Sequence, residues 1–189
     1  MRVDWDAVST ELSGAQVESA YSPVGRFVLI HTQFDLLIGR LVTAFSGLGD
    51  NQVAQHLIHA LDAGTKKKIV ESVASIYGSD PNGLVPDYKP MPELRARLKK
   101  VAQAFNDASK IRNVLAHGTL GRLDERVFIG SMSAASFFKN TGGAESWVFI
   151  DTIDDHVLKM LSAMDEGSDM QRDFKRAHAL AAADAEREA

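Results

Sequence analysis

The chain has 189 residues, 45% of them hydrophobic, a formal net charge of −4 and no cysteine. That length supports one domain with a sizeable core, and the missing cysteine excludes disulfides and cysteine-based zinc sites. A mildly acidic chain has no overall pull toward nucleic acid, so any role on RNA requires a local basic patch.

The opening residues, MRVDWDAVSTELSG, lack the apolar core of a secretory signal. No apolar run approaches the roughly 20 residues a membrane span needs. The expectation is a cytoplasmic protein with no membrane partner. Residues 1–21 are polar and weakly patterned, and read as an N-terminal extension carrying a short amphipathic helix over Trp5 to Leu12. The clearest helix follows, with Ser22 as N-cap, Pro23 in the first turn and Gly47 as the stop. Val24, Phe27, His31, Phe34, Ile38, Leu41 and Phe45 recur at alternating spacings of three and four, which draws one apolar stripe. His31 lies inside it, and Asp35, four residues on, is its expected partner.

Asp50 or Asn51 is expected to cap a second helix, NQVAQHLIHALDAG, and Thr65 a third, KKKIVESVASIYG. The third buries Ile69, Val70, Val73, Ile76 and Tyr77, and Lys66 to Lys68 project from its first turn, as a solvated basic end or, alternatively, an anion-binding corner. These lysines stand at the unfavourable end of the helix dipole. His56 and His59 lack a carboxylate at supporting spacing, so they read as surface or core residues, and no metal site is expected. Residues 78–92 contain four of the five prolines and form a loop. Pro92 opens a fourth long helix with Leu94, Leu98, Val101, Phe105, Ala108, Arg112 and Leu115 on one stripe, which puts Arg112 at a core position. Beyond Gly118, ERVFIGSM and ESWVFIDT alternate like strands around the turn residues KNTGG. A hairpin over about 120–151 is expected, with a third short strand through SFF. Thr152 and Asp155 suggest a capping box for a last helix through Val157, Met160, Leu161, Met164 and Phe174. Gly167 is its candidate bend, and 185–189 form a polar tail. The predicted fold is mainly α: an antiparallel bundle of four to five helices with a small β-hairpin inserted before the last one.

The end of the fourth helix, IRNVLAHG, admits two readings. In one, His117 and Gly118 simply terminate a helix, the imidazole facing the free carbonyls, while Arg112 pairs with a carboxylate such as Asp35. In the other, the polar residues form a site. Positions four apart share a helix face, so Asn113 and His117 lie on one line, continued backward by Lys110 and Asn106. Arg112 and His117 stand about 140° apart on a regular helix, so the arginine has to reach around for both to meet one ligand.

RNVLAHG resembles the signature of the HEPN superfamily, α-helical domains of prokaryotic toxins, phage-defence proteins and RNA-processing enzymes. That signature is an arginine, commonly followed by a polar residue, then a histidine after four to six intervening residues. Arg112, Asn113 and His117 match its three positions. The helical order over residues 22–184 is similar to the family's, although the sequence match itself is confined to these few residues. The resemblance implies a metal-independent, cofactor-free endoribonuclease working as a homodimer. In it Arg112 and His117 are catalytic, and Asn113 orients the imidazole or touches the phosphate; outside the motif, Lys110 on the polar line of the helix and Asp35 across the bundle are the further candidates to bind substrate or orient these residues. RNA is the implied substrate, and an antitoxin or other protein the implied partner. Many members have lost activity, so a non-catalytic dimeric binding or scaffold module is the alternative.

Overall fold

The computed structural model describes residues 8–45, 52–78, 92–130 and 147–188. In chain order these form β1 (Val8–Ser9), α1 (Gly14–Phe45), α2 (Gln52–His59), α3 (Ala63–Gly78), α4 (Pro92–His117), β2 (Thr119–Leu123), β3 (Arg126–Gly130), β4 (Trp147–Phe149) and α5 (Ile153–Glu188). The fold is therefore mainly α, with a small antiparallel sheet before the last helix. By contacts the chain divides into two compact units. One comprises residues up to Thr32 and Asp107–Met160, the other Gln33–Asn106 and Leu161 onward.

The first unit is built on the sheet, whose strand order is β1-β2-β3-β4, all antiparallel. Two of its strands depart from expectation. Val8 and Ser9 pair with Leu123 and Arg122, so part of the helix expected over Trp5 to Leu12 is strand. TLGRL, expected to be hairpin flank at most, is β2. It turns into β3 through Asp124–Glu125, where Asp124 takes φ 55°. A short polar residue tolerates that left-handed conformation better than most. Phe128 and Phe149 are buried, and Trp147 meets Phe149 edge-on with ring centroids 4.7 Å apart. Arg126 lies 3.7 Å over the Phe149 ring and donates two hydrogen bonds to Asp151, at 2.7 and 2.6 Å. The expected third strand SFF and the turn KNTGG lie outside the described residues.

Helix α1 begins nine residues earlier than Ser22 predicts and runs through Pro23. A capping box missed in the sequence sets this start. The Ser13 hydroxyl accepts from the Gln16 amide (3.3 Å), and the Gln16 side chain accepts from the Ser13 amide (2.9 Å). The described hydrogen-bond partner of His31 is Ser109 of α4, with Nε2 and Oγ 3.0 Å apart, rather than the expected Asp35. The Thr152 hydroxyl donates to the Phe149 carbonyl (2.9 Å) in a short 3₁₀ turn that leads into α5, in place of the expected capping box.

The second unit is a helical core. Phe34 and Phe105 are fully buried and pack edge to face at 5.4 Å. Burying one such ring contributes about 2–3 kcal/mol. Leu37, Ile38, Leu41 and Val42 on α1 and Leu98, Val101 and Ala102 on α4 are buried residues of this core. Gly167 is buried, and a Cβ there would come within 3.0 Å of Leu37 and 3.3 Å of Leu41. Glycine thus serves close α1–α5 approach at this position. Gly39 plays the same part against His59, whose ring would lie 2.9 Å from an added Cβ. Arg97 of α4 pairs with Glu166 and, at 3.7 Å, with Asp173, both on α5.

Lys66 is where expectation and structure differ most in this unit. It is 1% exposed and donates to both oxygens of Asp35, at 2.7 and 2.8 Å. The true cap of α3 is Asp62, whose carboxylate accepts from the Thr65 amide (2.9 Å) and hydroxyl (2.6 Å). These bonds hold the Asp62 carboxyl below its ordinary range. Gly47, the Asp50 and Asn51 caps and most of the 78–92 loop lie outside the described residues, as do the side chains of Ile76 and Tyr77. Helix α1 also carries a stretch long and apolar enough, by length and composition alone, to cross a membrane, where no such run was expected; nearly half of that stretch is buried within the fold.

Candidate functional site

Helix α4 carries the RNVLAHG segment as far as His117, its last residue. Its apolar stripe holds from Leu94 through Ala108, all buried at the expected positions. The stripe then leaves the core. Arg112 is exposed, which corrects its assignment to a core position, and Leu115 is only half-buried. The Gly118 amide donates to the Val114 carbonyl (2.8 Å), and β2 begins at the next residue. Glycine is required here for space, since φ at Gly118 is outside the left-handed region. An added Cβ would lie 2.6 Å from both the Val114 carbonyl oxygen and the Ile129 side chain.

The motif side chains all reach the surface. Arg112, Asn113 and His117 are exposed, and Arg112 Nη1 donates to Asn113 Oδ1 at 3.3 Å. Among the described residues His117 makes no hydrogen bond to the helix-end carbonyls, so the geometry gives no support to its capping reading. Lys110 is half-buried and ion-pairs with Asp107, one turn back, at 3.6 Å. Asp35, the expected orienting carboxylate, has both oxygens engaged by Lys66. No group of three or more potential metal ligands occurs among the described residues.

Beside the motif, the same helix forms one wall of a pocket of about 360 Å³. Its lining is Asp107, Lys110 and Ile111 from α4, Trp147, Val148 and Phe149 from β4, then Thr152 and His156. Burial pushes the His156 imidazole below its ordinary pKa; Lys159 adds to the shift and Asp155 opposes it. Lys110 belongs both to this pocket and to the polar line that ends at His117. Seven residues of helix separate the two, about 10 Å along the axis. Sequence reasoning identified Lys110 but missed Asp107, Trp147, Thr152 and His156. Thr152 and His156 stand four apart, as do Asp107 and Ile111, so each pair was legible as a shared helix face. That β4 closes the space between them was not.

Compared with protein-family models, curated proteins and solved structures, the chain gives no significant match in any of the three.

Proposed function

We propose that this protein is a metal-independent endoribonuclease of HEPN type, acting as a two-fold homodimer in a toxin or phage-defence setting. One observation carries the reading. Arg112, Asn113 and His117, the three residues that match the HEPN signature, are all exposed at the end of α4. The capping explanation offered Arg112 an internal ion pair and His117 the helix carbonyls, and the described contacts include neither.

The chemistry accounts for these residue types. A base removes the proton from the ribose 2′-hydroxyl, whose oxygen attacks the adjacent phosphorus. The bond to the 5′-oxygen breaks, and an acid supplies that oxygen with a proton. The products are a 2′,3′-cyclic phosphate and a 5′-hydroxyl. Histidine titrates in the range needed for both proton transfers. Arginine stays charged and matches the phosphorane oxygens through its planar fork. One chain supplies one such histidine, and a two-fold dimer with both α4 ends in one cleft supplies two. Asn113, already bonded to Arg112, positions the guanidinium. The test is cleavage of RNA by purified protein in excess chelator, alongside His117→Ala and Arg112→Ala. Intact RNA with the native protein, or equal cleavage by His117→Ala, refutes the activity. Sedimentation addresses the dimer: a strict monomer at tens of micromolar refutes the shared cleft, and Ala116→Glu, which adds a carboxylate on the exposed surface beside His117, should weaken association.

The second reading is a non-catalytic dimeric binding or scaffold module with a protein partner. The net charge of −4 favours it, because a chain without basic excess gains little from general attraction to the RNA backbone. It predicts a dimer with no turnover.

A further inference from the structure

Helix α1 turns an apolar face outward in the first unit. Tyr21 is 67% exposed, Val28 42% and Leu29 69%. Between them stands Gly25, where an added Cβ would meet nothing within 4 Å. Gly39 and Gly167 serve close packing inside the chain, but Gly25 has no such neighbour. Glycine weakens the interior of a helix, and among the described residues nothing uses the space it leaves. The face extends to α5. Arg26 and Asp154 pair at 3.1 Å, and Leu158, 64% exposed, stands four residues beyond Asp154 on the same side of its helix. Apolar side chains grouped in this way, with charges at their edge, mark an interaction surface rather than scattered surface residues.

The spacing on α1 selects the occupant. Tyr21 lies four residues before Gly25 and Leu29 four after it. Under a two-fold axis through Gly25, perpendicular to the helix, each residue before the glycine faces the partner's residue at the same distance after it. Tyr21 then meets the partner's Leu29, and Leu29 the partner's Tyr21. Seven positions out, about 10 Å along the helix, Glu18 meets the partner's Thr32, so no like charges oppose there. Each copy also brings one cation and one anion, Arg26 and Asp154, already paired, so this part of the seam carries no net charge. Rows of residues four apart pack into one another's grooves with helix axes about 8–10 Å apart, and a glycine at the crossing admits the closest approach. A stable interface buries about 800 Å² per partner around an apolar centre with a polar rim. Tyr21, Val28, Leu29 and Leu158 supply the centre here, and the Arg26–Asp154 pair supplies rim.

We propose that this α1 face is the two-fold seam of a homodimer, in which the Tyr21–Gly25–Leu29 row of one copy packs antiparallel against the same row of a second. The proposal deepens the dimer reading by naming its surface, and rests on that reading only for the need of a second copy. The face is close to the motif. Helix α4 meets α1 where His31 and Ser109 stand 3.0 Å apart, and Val28 and Arg112 each lie three residues, about one turn, from that contact. A copy docked on α1 thus sits against the same stretch of the first unit that carries Arg112.

Sedimentation equilibrium of the full chain tests this without any RNA. We expect a dimer at tens of micromolar. Two double variants at exposed positions, Tyr21→Glu with Leu29→Glu and Tyr21→Lys with Leu29→Lys, set like charges across the seam. Each should associate at least tenfold more weakly, with its circular dichroism spectrum unchanged. Mixed in equal amounts, they set glutamate against lysine and should recover a dimer containing one copy of each. Gly25→Leu, which fills the crossing, should weaken association with the fold intact. A dimer that survives both charged variants overturns the proposal, because the seam is then elsewhere, and leaves the shared nuclease cleft standing. Charged variants that stay monomeric when mixed overturn it too. A native monomer overturns both the proposal and the shared cleft; if that monomer floats with vesicles of phosphatidylcholine and phosphatidylglycerol, the face is a membrane contact instead. Because no measurement depends on cleavage, a dimer joined through α1 that leaves RNA intact refutes only the nuclease.

Discussion

Removing Asp35 should destabilise this protein more than removing Lys66, although the two residues make one ion pair. The asymmetry follows from burial. The Lys66 side chain is 2% exposed, whereas that of Asp35 is 31% exposed. Asp35→Ala strands a buried ammonium for which, among the described residues, only the His59 carbonyl, 3.5 Å away, remains as an acceptor. Breaking a buried pair this way costs about 3–5 kcal/mol. Lys66→Met leaves a carboxylate that water already reaches and fills the vacated space with an apolar chain of similar length, so about 1–2 kcal/mol is expected from the lost charged hydrogen bonds. The double variant Asp35→Leu with Lys66→Met buries no charge, and should recover much of the Asp35→Ala loss. Urea unfolding followed by circular dichroism measures all three. Against a typical domain stability of about 5–15 kcal/mol, the larger effect shifts the midpoint visibly. Equal losses for the two single variants, or a loss below about 1 kcal/mol for Asp35→Ala, would falsify the argument that burial sets the order.

Gly118→Ala should destabilise by about 1–3 kcal/mol, because its Cβ meets the Val114 carbonyl and Ile129 at 2.6 Å; a thermal melt equal to the native protein's would refute this. Asp124→Gly should raise stability slightly and Asp124→Val lower it by about 1–2 kcal/mol, since φ 55° there suits glycine and disfavours a branched side chain; unchanged midpoints would show that the turn does not hold that conformation. His156 has its folded pKa lowered below 6.5 by burial first and Lys159 second. The unfolded chain therefore binds its proton more readily. The stability it contributes is complete above about pH 6.5 and is lost as pH falls below that value. His156→Gln should flatten this part of the stability–pH curve, and a curve that keeps its slope places the dependence on another group.

The sequence by itself determined the helices and much of their buried faces. Spacings of three and four from Phe27 to Phe45, and from Leu94 to Ala108, mark residues that are buried in the structure at nearly every position, because a helix repeats its face every 3.6 residues whatever it packs against. It also marked RNVLAHG as a helix end, since Gly118 follows the last periodic residue. The tertiary structure decided everything that depends on a partner distant in the chain. Periodicity put Arg112 in the core and Lys66 in solvent, and both are reversed. The core ends one turn before Arg112, and Asp35, thirty-one residues from Lys66, offers an acceptor that no local pattern encodes. The strand TLGRL was equally hidden, because five residues with one glycine show no alternation, and their state is set by pairing with Val8–Ser9 on one side and Arg126–Gly130 on the other. The pocket has the same origin. Asp107 and Lys110 come from one helix, Trp147 from a strand thirty-seven residues beyond Lys110, and His156 from the next helix. Chemistry requires only that such groups meet in space, and chain spacing does not record where strand pairing brings them together.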